Sequence, residues 1–187
     1  MTLNDFLNHL AWIFKGYEAL IVLWFLITQF PKYRWSLFYA RHHTLNSLPL
    51  HEMHSCFMTA LCYLFFFLYS SEIDNFIIRQ LSAVDGQIKL FYLTAMINQF
   101  LFLVTLFSLH RFKGCFFSKT ARVNIYTTLA VMALLFMQLV ARGYFDYHEL
   151  GMVYVFGGWA CNIISVSALS IYPIRQTLGY FQKRSVA

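Results

Sequence analysis

Five apolar stretches, 11–30, 53–71, 88–109, 123–141 and 150–172, are joined by short polar connections whose net charge alternates in sign. Each stretch is close to the ~20 residues that a helix needs to cross ~30 Å of hydrocarbon. If all five cross, alternate connections fall on the same side. One side then gathers Lys32, Arg34 and Arg41; Arg111, Lys113, Lys119 and Arg122; and Arg175, Lys183 and Arg184, with Glu52 as its one acid. The other side sets Lys15, Arg79, Lys89 and Arg142 against Asp5, Glu18, Glu72, Asp74, Asp85, Asp146 and Glu149. Basic residues in short loops are retained on the cytoplasmic side. The pattern predicts an all-α integral membrane protein, a five-helix bundle with its N-terminus outside and its C-terminus cytoplasmic.

Composition supports this reading and narrows it. Of 187 residues, 59% are hydrophobic and only 12% charged, whereas a water-soluble domain carries about one-quarter charged residues. The connections are too short to fold alone, so residues 1–187 are expected to form a single polytopic domain. The first apolar run has no basic leader and no small-residue cleavage pattern, and it is expected to remain as a span. Its outer third contains Lys15 and Glu18, three residues apart on one helix face. They are expected to snorkel to the headgroups as an interfacial pair. On this placement no Asp, Glu, Lys or Arg falls in the middle third of any span, which argues against a proton- or ion-coupled carrier.

Two connections have the pattern of amphipathic interfacial segments. Trp35, Phe38 and Tyr39 alternate with Arg34 and Arg41 after Pro31, which should end or kink the first helix. In 74–86, Phe76, Ile77, Leu81 and Val84 recur at helical spacing between Asp74 and Gly86, a short surface helix with a cap and a stop. Leu48-Pro49 marks the turn into the second span. Residues 142–149 form an aromatic turn at the outer headgroups, and Pro173 should close the last span. The four cysteines contain no CxxC pair, and Cys56 and Cys115 lie toward the reducing side, so none is expected in a disulfide.

Polar side chains within spans are the first candidates for function, because hydrocarbon penalises them. Thr94, Asn98, Thr105 and Ser108 lie along one stripe of the third span with Leu101. Gln138 lies in the fourth, and Gly158, Asn162 and Ser165 in the fifth. Asn98 and Asn162 share a depth. Thr94, Asn98, Thr105, Gln138, Gly158, Asn162 and Ser165 are read first as a helix-packing seam and second as the lining of a pore. Lys32, Arg34, Arg41, Arg111, Lys113, Lys119 and Arg122 form a basic face suited to anionic lipid or to an acidic cytosolic partner.

His42, His43, His51, His54 and His110 all map to the cytoplasmic edge. Of these, His51, His54 and His110 are the candidates for haem or zinc, although their spacing matches no strong motif and no cofactor is expected. Nucleophile elbows, phosphate-cradling loops, dinucleotide fingerprints and paired intramembrane carboxylates are all missing. In size and hydropathy the chain resembles small bacterial membrane proteins, such as immunity proteins against pore-forming bacteriocins or membrane subunits of antiphage systems, without a shared motif. The resulting expectation is a non-enzymatic inner-membrane subunit of interaction or sensor type, possessing a basic cytoplasmic docking face. Its partners would be anionic lipid, a second copy of itself or a cytosolic protein, with no direct nucleic acid binding. An oligomeric small-solute or ion channel is the alternative, and a haem- or metal-binding redox protein the third reading.

Overall fold

The structure, a computed structural model, describes residues 3–39, 47–80 and 84–185. Among them are six helices and no strand: α1 (Leu3–Tyr33), α2 (Ser36–Tyr39), α3 (Leu48–Gln80), α4 (Val84–Lys113), α5 (Lys119–Tyr144) and α6 (Gly151–Ser185). All but α2 are long and apolar enough to cross a membrane. Each outruns its apolar stretch because the i→i−4 ladder continues wherever the backbone can stay helical, whatever the polarity of the side chains.

That continuation corrects two boundaries. The expected surface helix at 74–86 does not stand apart, since Asp74 lies inside α3 and Gly86 inside α4. A period of 3.6 cannot distinguish a new helix from extensions of the flanking ones, and Leu81 lies outside the described residues. Pro173 does not close the last span either, because α6 runs on to Ser185. Proline removes one ladder bond and can kink a helix without ending it. Pro31 lies in the final turn of α1, and Arg34, at φ 48°, leaves the helix just beyond it. Pro49 occupies the first turn of α3, where a missing N–H leaves no helical acceptor unpaired.

α3 is the central helix. Half of its apolar window is buried, against 22–28% in the other four long helices. It packs on α1, α4, α5 and α6, and nearly every residue from His51 to Cys62 is enclosed. A core of Phe25, Leu37, Met53, Phe57, Leu169 and Tyr172 fills the end where α2 sits, with the Phe25 and Tyr172 rings stacked at 5.5 Å. α1 and α6 run parallel, as the paired contacts Phe14–Trp159 and Phe25–Tyr172 require. The α4–α5 turn lies at the α2 end, and the α5–α6 turn at the opposite end.

Both turns follow from local sequence. Gly114 takes φ 62°, and the bonds Cys115 N–H to His110 O and Gly114 N–H to Arg111 O close α4 in the manner of a Schellman motif. Ser118 then caps α5 by accepting from Ala121 N at 3.1 Å. At the opposite end Tyr147 N–H returns to Ala141 O at 2.8 Å, and the Gln138 amide donates to Leu150 O at 2.7 Å. The outward faces of α1, α4 and α6 carry Trp12, Leu20, Ile27, Phe100, Phe107 and Ile164. Leu101 joins them at 47% exposure, so it does not belong to the buried stripe of α4. That stripe is formed by Tyr92, Asn98, Phe102, Leu106 and His110.

Candidate functional site

A cavity of about 360 Å³ opens inside the bundle between α3, α4, α5 and α6, with Leu7 and Ala11 of α1 along one side. Its volume falls in the range of small-molecule pockets, and its lining mixes aromatic walls with a few polar groups, as such pockets do. The predicted polar stripes converge here. Thr94, Asn98, Gly158, Asn162 and Ser165 all line it. Gly158 leaves open space where a side chain would begin, with nothing within 4 Å of an added Cβ.

Two members of the predicted seam lie elsewhere. Thr105 is half-buried further along α4 and does not reach the cavity. Gln138 is fully buried but serves the α5–α6 turn through Leu150 O. Both share a helix face with lining residues, Thr105 seven past Asn98 and Gln138 three past Leu135, but they lie beyond the cavity along the helix axes.

The polar atoms of the lining differ in how they are satisfied. Tyr63 donates its hydroxyl to Asn162 Oδ1 at 3.1 Å. Thr127 and Ser165 share a hydrogen bond at 2.7 Å, and Thr128 donates to Asn124 O at 2.7 Å. Asn98, by contrast, is 5% exposed and its Oδ1 has no hydrogen-bond partner. A buried acceptor without a donor is costly, so this atom marks a place where a ligand or water is wanted.

Glu18 overturns the expectation that it snorkels to the headgroups, although Lys15 still acts on its carboxyl electrostatically. It lies near the middle of the apolar stretch Asp5–Tyr33, is 2% exposed, and neither carboxyl oxygen has a hydrogen-bond partner. Lys15 turns its ammonium toward the Trp12 and Phe67 rings, at 4.7 and 5.4 Å from their centroids. Drawing the first span as 11–30 put Glu18 in its outer third; the longer helix shifts it to the centre. The claim that no ionisable side chain reaches mid-span is therefore corrected.

The described members of the predicted basic face lie at the α2 end and all but one are exposed. Lys32, Arg34, Arg111, Lys119 and Arg122 are exposed. Lys113 is 5% exposed and donates to the Leu37 carbonyl, so it ties α4 to α2 instead of joining a docking surface. Arg175 pairs with Glu52 at 2.8 Å, joining α6 to the start of α3. Arg41, His42 and His43 lie outside the described residues.

The three candidate histidines face separate environments. His51 packs on Phe116 with ring centroids 4.8 Å apart, and His54 lies near Tyr33. His110 stacks on Phe117 at 4.3 Å and bonds both Leu106 O and Ser55 Oγ at 2.8 Å. Among the described residues, no three of His, Cys, Asp and Glu form a group that could hold a metal ion.

Sequence reading missed the role of Ser55 and Ser118. The Ser55 hydroxyl lies 2.8 Å from His110 Nε2 and 3.0 Å from Ser118 Oγ, and accepts from Ser118 N–H at 2.9 Å. A carbonyl only accepts, so His110 Nδ1 carries the proton given to Leu106 O, and neutral Nε2 accepts from Ser55. The cluster has the look of a serine–histidine pair, yet Ser55 is fully enclosed. It acts as a lock joining α3, α4 and α5. Comparison of the chain with family models, with curated proteins and with solved structures finds no match.

Proposed function

We propose that the chain is a non-enzymatic inner-membrane protein that senses a small solute and relays its presence to a partner. It would act as a membrane-embedded subunit of a larger complex, with the N-terminus outside and the C-terminus cytoplasmic. The observation that carries this reading is the cavity, with the unpartnered Asn98 Oδ1 in its wall. A ligand that donates to this atom would satisfy it and draw α4 toward α3, α5 and α6. The exposed cations Lys32, Arg34, Arg111, Lys119 and Arg122 at the α2 end supply the basic docking face, which would meet anionic lipid and an acidic partner. A host-defence or immunity role suits such a subunit.

The test is occupancy of the cavity by a neutral aromatic alcohol, 2-phenylethanol, added to the protein in nanodiscs. A saturable rise in melting temperature is expected, and Gly158→Leu, which places a side chain in the cavity, should abolish it. No saturable rise, or a rise unchanged in Gly158→Leu, would overturn the reading. The channel alternative draws on the same cavity but requires a continuous path, and Gln138 is engaged in the turn at the opposite end. A conductance in liposomes that Asn98→Leu alters would put the channel first.

A further inference from the structure

The cavity wall is polar in places but carries no charge. Among the described residues, its lining contains no Asp, Glu, Lys, Arg or His. Lys15 and Glu18 of α1 approach the lining residues Phe67 and Tyr63, but neither lines the cavity, and their opposite charges act on each other. An ion entering this space would give up its water and meet no counter-charge, which is strongly disfavoured in a low-dielectric interior. Hydrogen-bonding capacity of both kinds is nevertheless present. Thr94 and Gln99 can donate and accept, and Trp159 can donate. Asn98 adds an amide whose Oδ1 is buried with no hydrogen-bond partner.

Polarity is also uneven along the cavity. Toward α2 the wall holds the Tyr63–Asn162 and Thr127–Ser165 hydrogen bonds, and one turn further on Leu106, Asn124 and Leu169 are buried and close that end. Asn98 lies one turn from Phe102, which meets Tyr63 edge-on, so it sits beside this polar layer. At the other end Ile73, Phe91 and Val155 are apolar and only half-buried. Ser70 and Tyr154 are the polar groups there, the first bonded within α3 and the second packed edge-on against Tyr92.

We infer that the cavity takes an uncharged amphipathic ligand, an alcohol or a carboxamide on an aromatic or aliphatic body, an assignment that rests on the cavity being a binding site. Its polar group would meet Asn98, and its body would extend toward Trp159 and Phe91. A hydroxyl or an amide both donates and accepts, so it can give a hydrogen bond to Asn98 Oδ1 and take one from a donor of the wall. A donor supplied to this acceptor relieves the cost of leaving it buried and unpaired. The apolar body matches the aromatic wall formed by Phe66, Phe67 and Trp159.

The experiment compares four probes of similar size at pH 7: 2-phenylethanol, ethylbenzene, cationic 2-phenylethylamine and anionic phenylacetate. Binding is measured on protein in nanodiscs, with protein-free nanodiscs to subtract partitioning. 2-Phenylethanol should bind most tightly, and the other three roughly tenfold more weakly or worse. Asn98→Leu, which nearly conserves side-chain size, should bring 2-phenylethanol down to the level of ethylbenzene. A charged probe or ethylbenzene that matches the alcohol would overturn the inference while leaving the cavity reading intact, and so would an alcohol preference that survives Asn98→Leu. If none of the four binds, the cavity reading falls and this inference with it. Should Asn98→Leu fail to fold, the ranking of the four probes by the wild type still decides the matter.

Discussion

Removing the Ser55 hydroxyl tests whether the lock at the α2 end governs the stability of the bundle. In Ser55→Ala, His110 Nε2 loses its donor and Ser118 N–H loses its acceptor, both deep in protein. An orphaned buried polar group costs roughly 1–3 kcal/mol, so two give about 2–4 kcal/mol after partial relaxation. That is several times the ~0.6 kcal/mol average of a hydrogen bond between membrane helices. The difference arises because Ser55 joins three helices at a fully enclosed position. Equilibrium unfolding in mixed micelles, with SDS as denaturant, reads the change directly. Ser70→Ala is the reference, since Ser70 bonds Phe67 O in its own helix and should cost less than ~0.5 kcal/mol. A double-mutant cycle of Ser55→Ala with Ser118→Ala should show coupling of about 1 kcal/mol or more. If Ser55→Ala matches Ser70→Ala, the cluster is not a lock and the reasoning fails.

Further expectations concern charge, topology and reactivity. Neutralising Arg111, Lys119 and Arg122 should weaken salt-sensitive capture of polyglutamate by the nanodisc-embedded protein, whereas Lys113→Met should not, because Lys113 is buried against Leu37. Equal losses from the two variants would contradict this division. Reporter fusions after Lys119 and Ser185 should read cytoplasmic and one near Asp146 external; a cytoplasmic signal at Asp146 would refute the orientation. Gly158→Ala should stabilise α6 by up to ~1 kcal/mol through helix propensity while shrinking the cavity, so melting temperature and 2-phenylethanol affinity should move in opposite directions. Burial pushes the Cys115 thiol from 9.0 up to about 11. The folded protein holds this proton more tightly than the unfolded chain, so the group costs no stability below pH 9 and an increasing amount as pH rises toward 11. Alkylation of Cys115 at pH 8 should be at least tenfold slower in the folded protein than in denaturant, and similar rates in both would refute the shift.

Sequence by itself determined the number of long apolar helices and where polar residues interrupt them. It also located the charges, gathering Lys32, Arg34, Arg111, Lys119 and Arg122 into alternate connections that the fold brings to one end. These properties are local, read from hydropathy and sign along the chain, and they survive any rotation of a helix about its axis. The candidate site was legible only in part. Thr94, Asn98, Gly158, Asn162 and Ser165 do meet in one cavity, because residues three, four and seven apart share a helix face whatever the neighbour. Tertiary structure alone decided which faces turn inward. It sent Gln138 to Leu150 and Leu101 to the surface, buried Lys113 beneath α2, and brought Ser55 to His110 and Ser118. Glu18 shows the same limit from another side, since its depth depended on how far α1 continued and its burial on which helices closed around it. Side chains from separate helices become neighbours only when packing fixes rotation and axial offset together, and neither quantity is written in the periodicity of one helix.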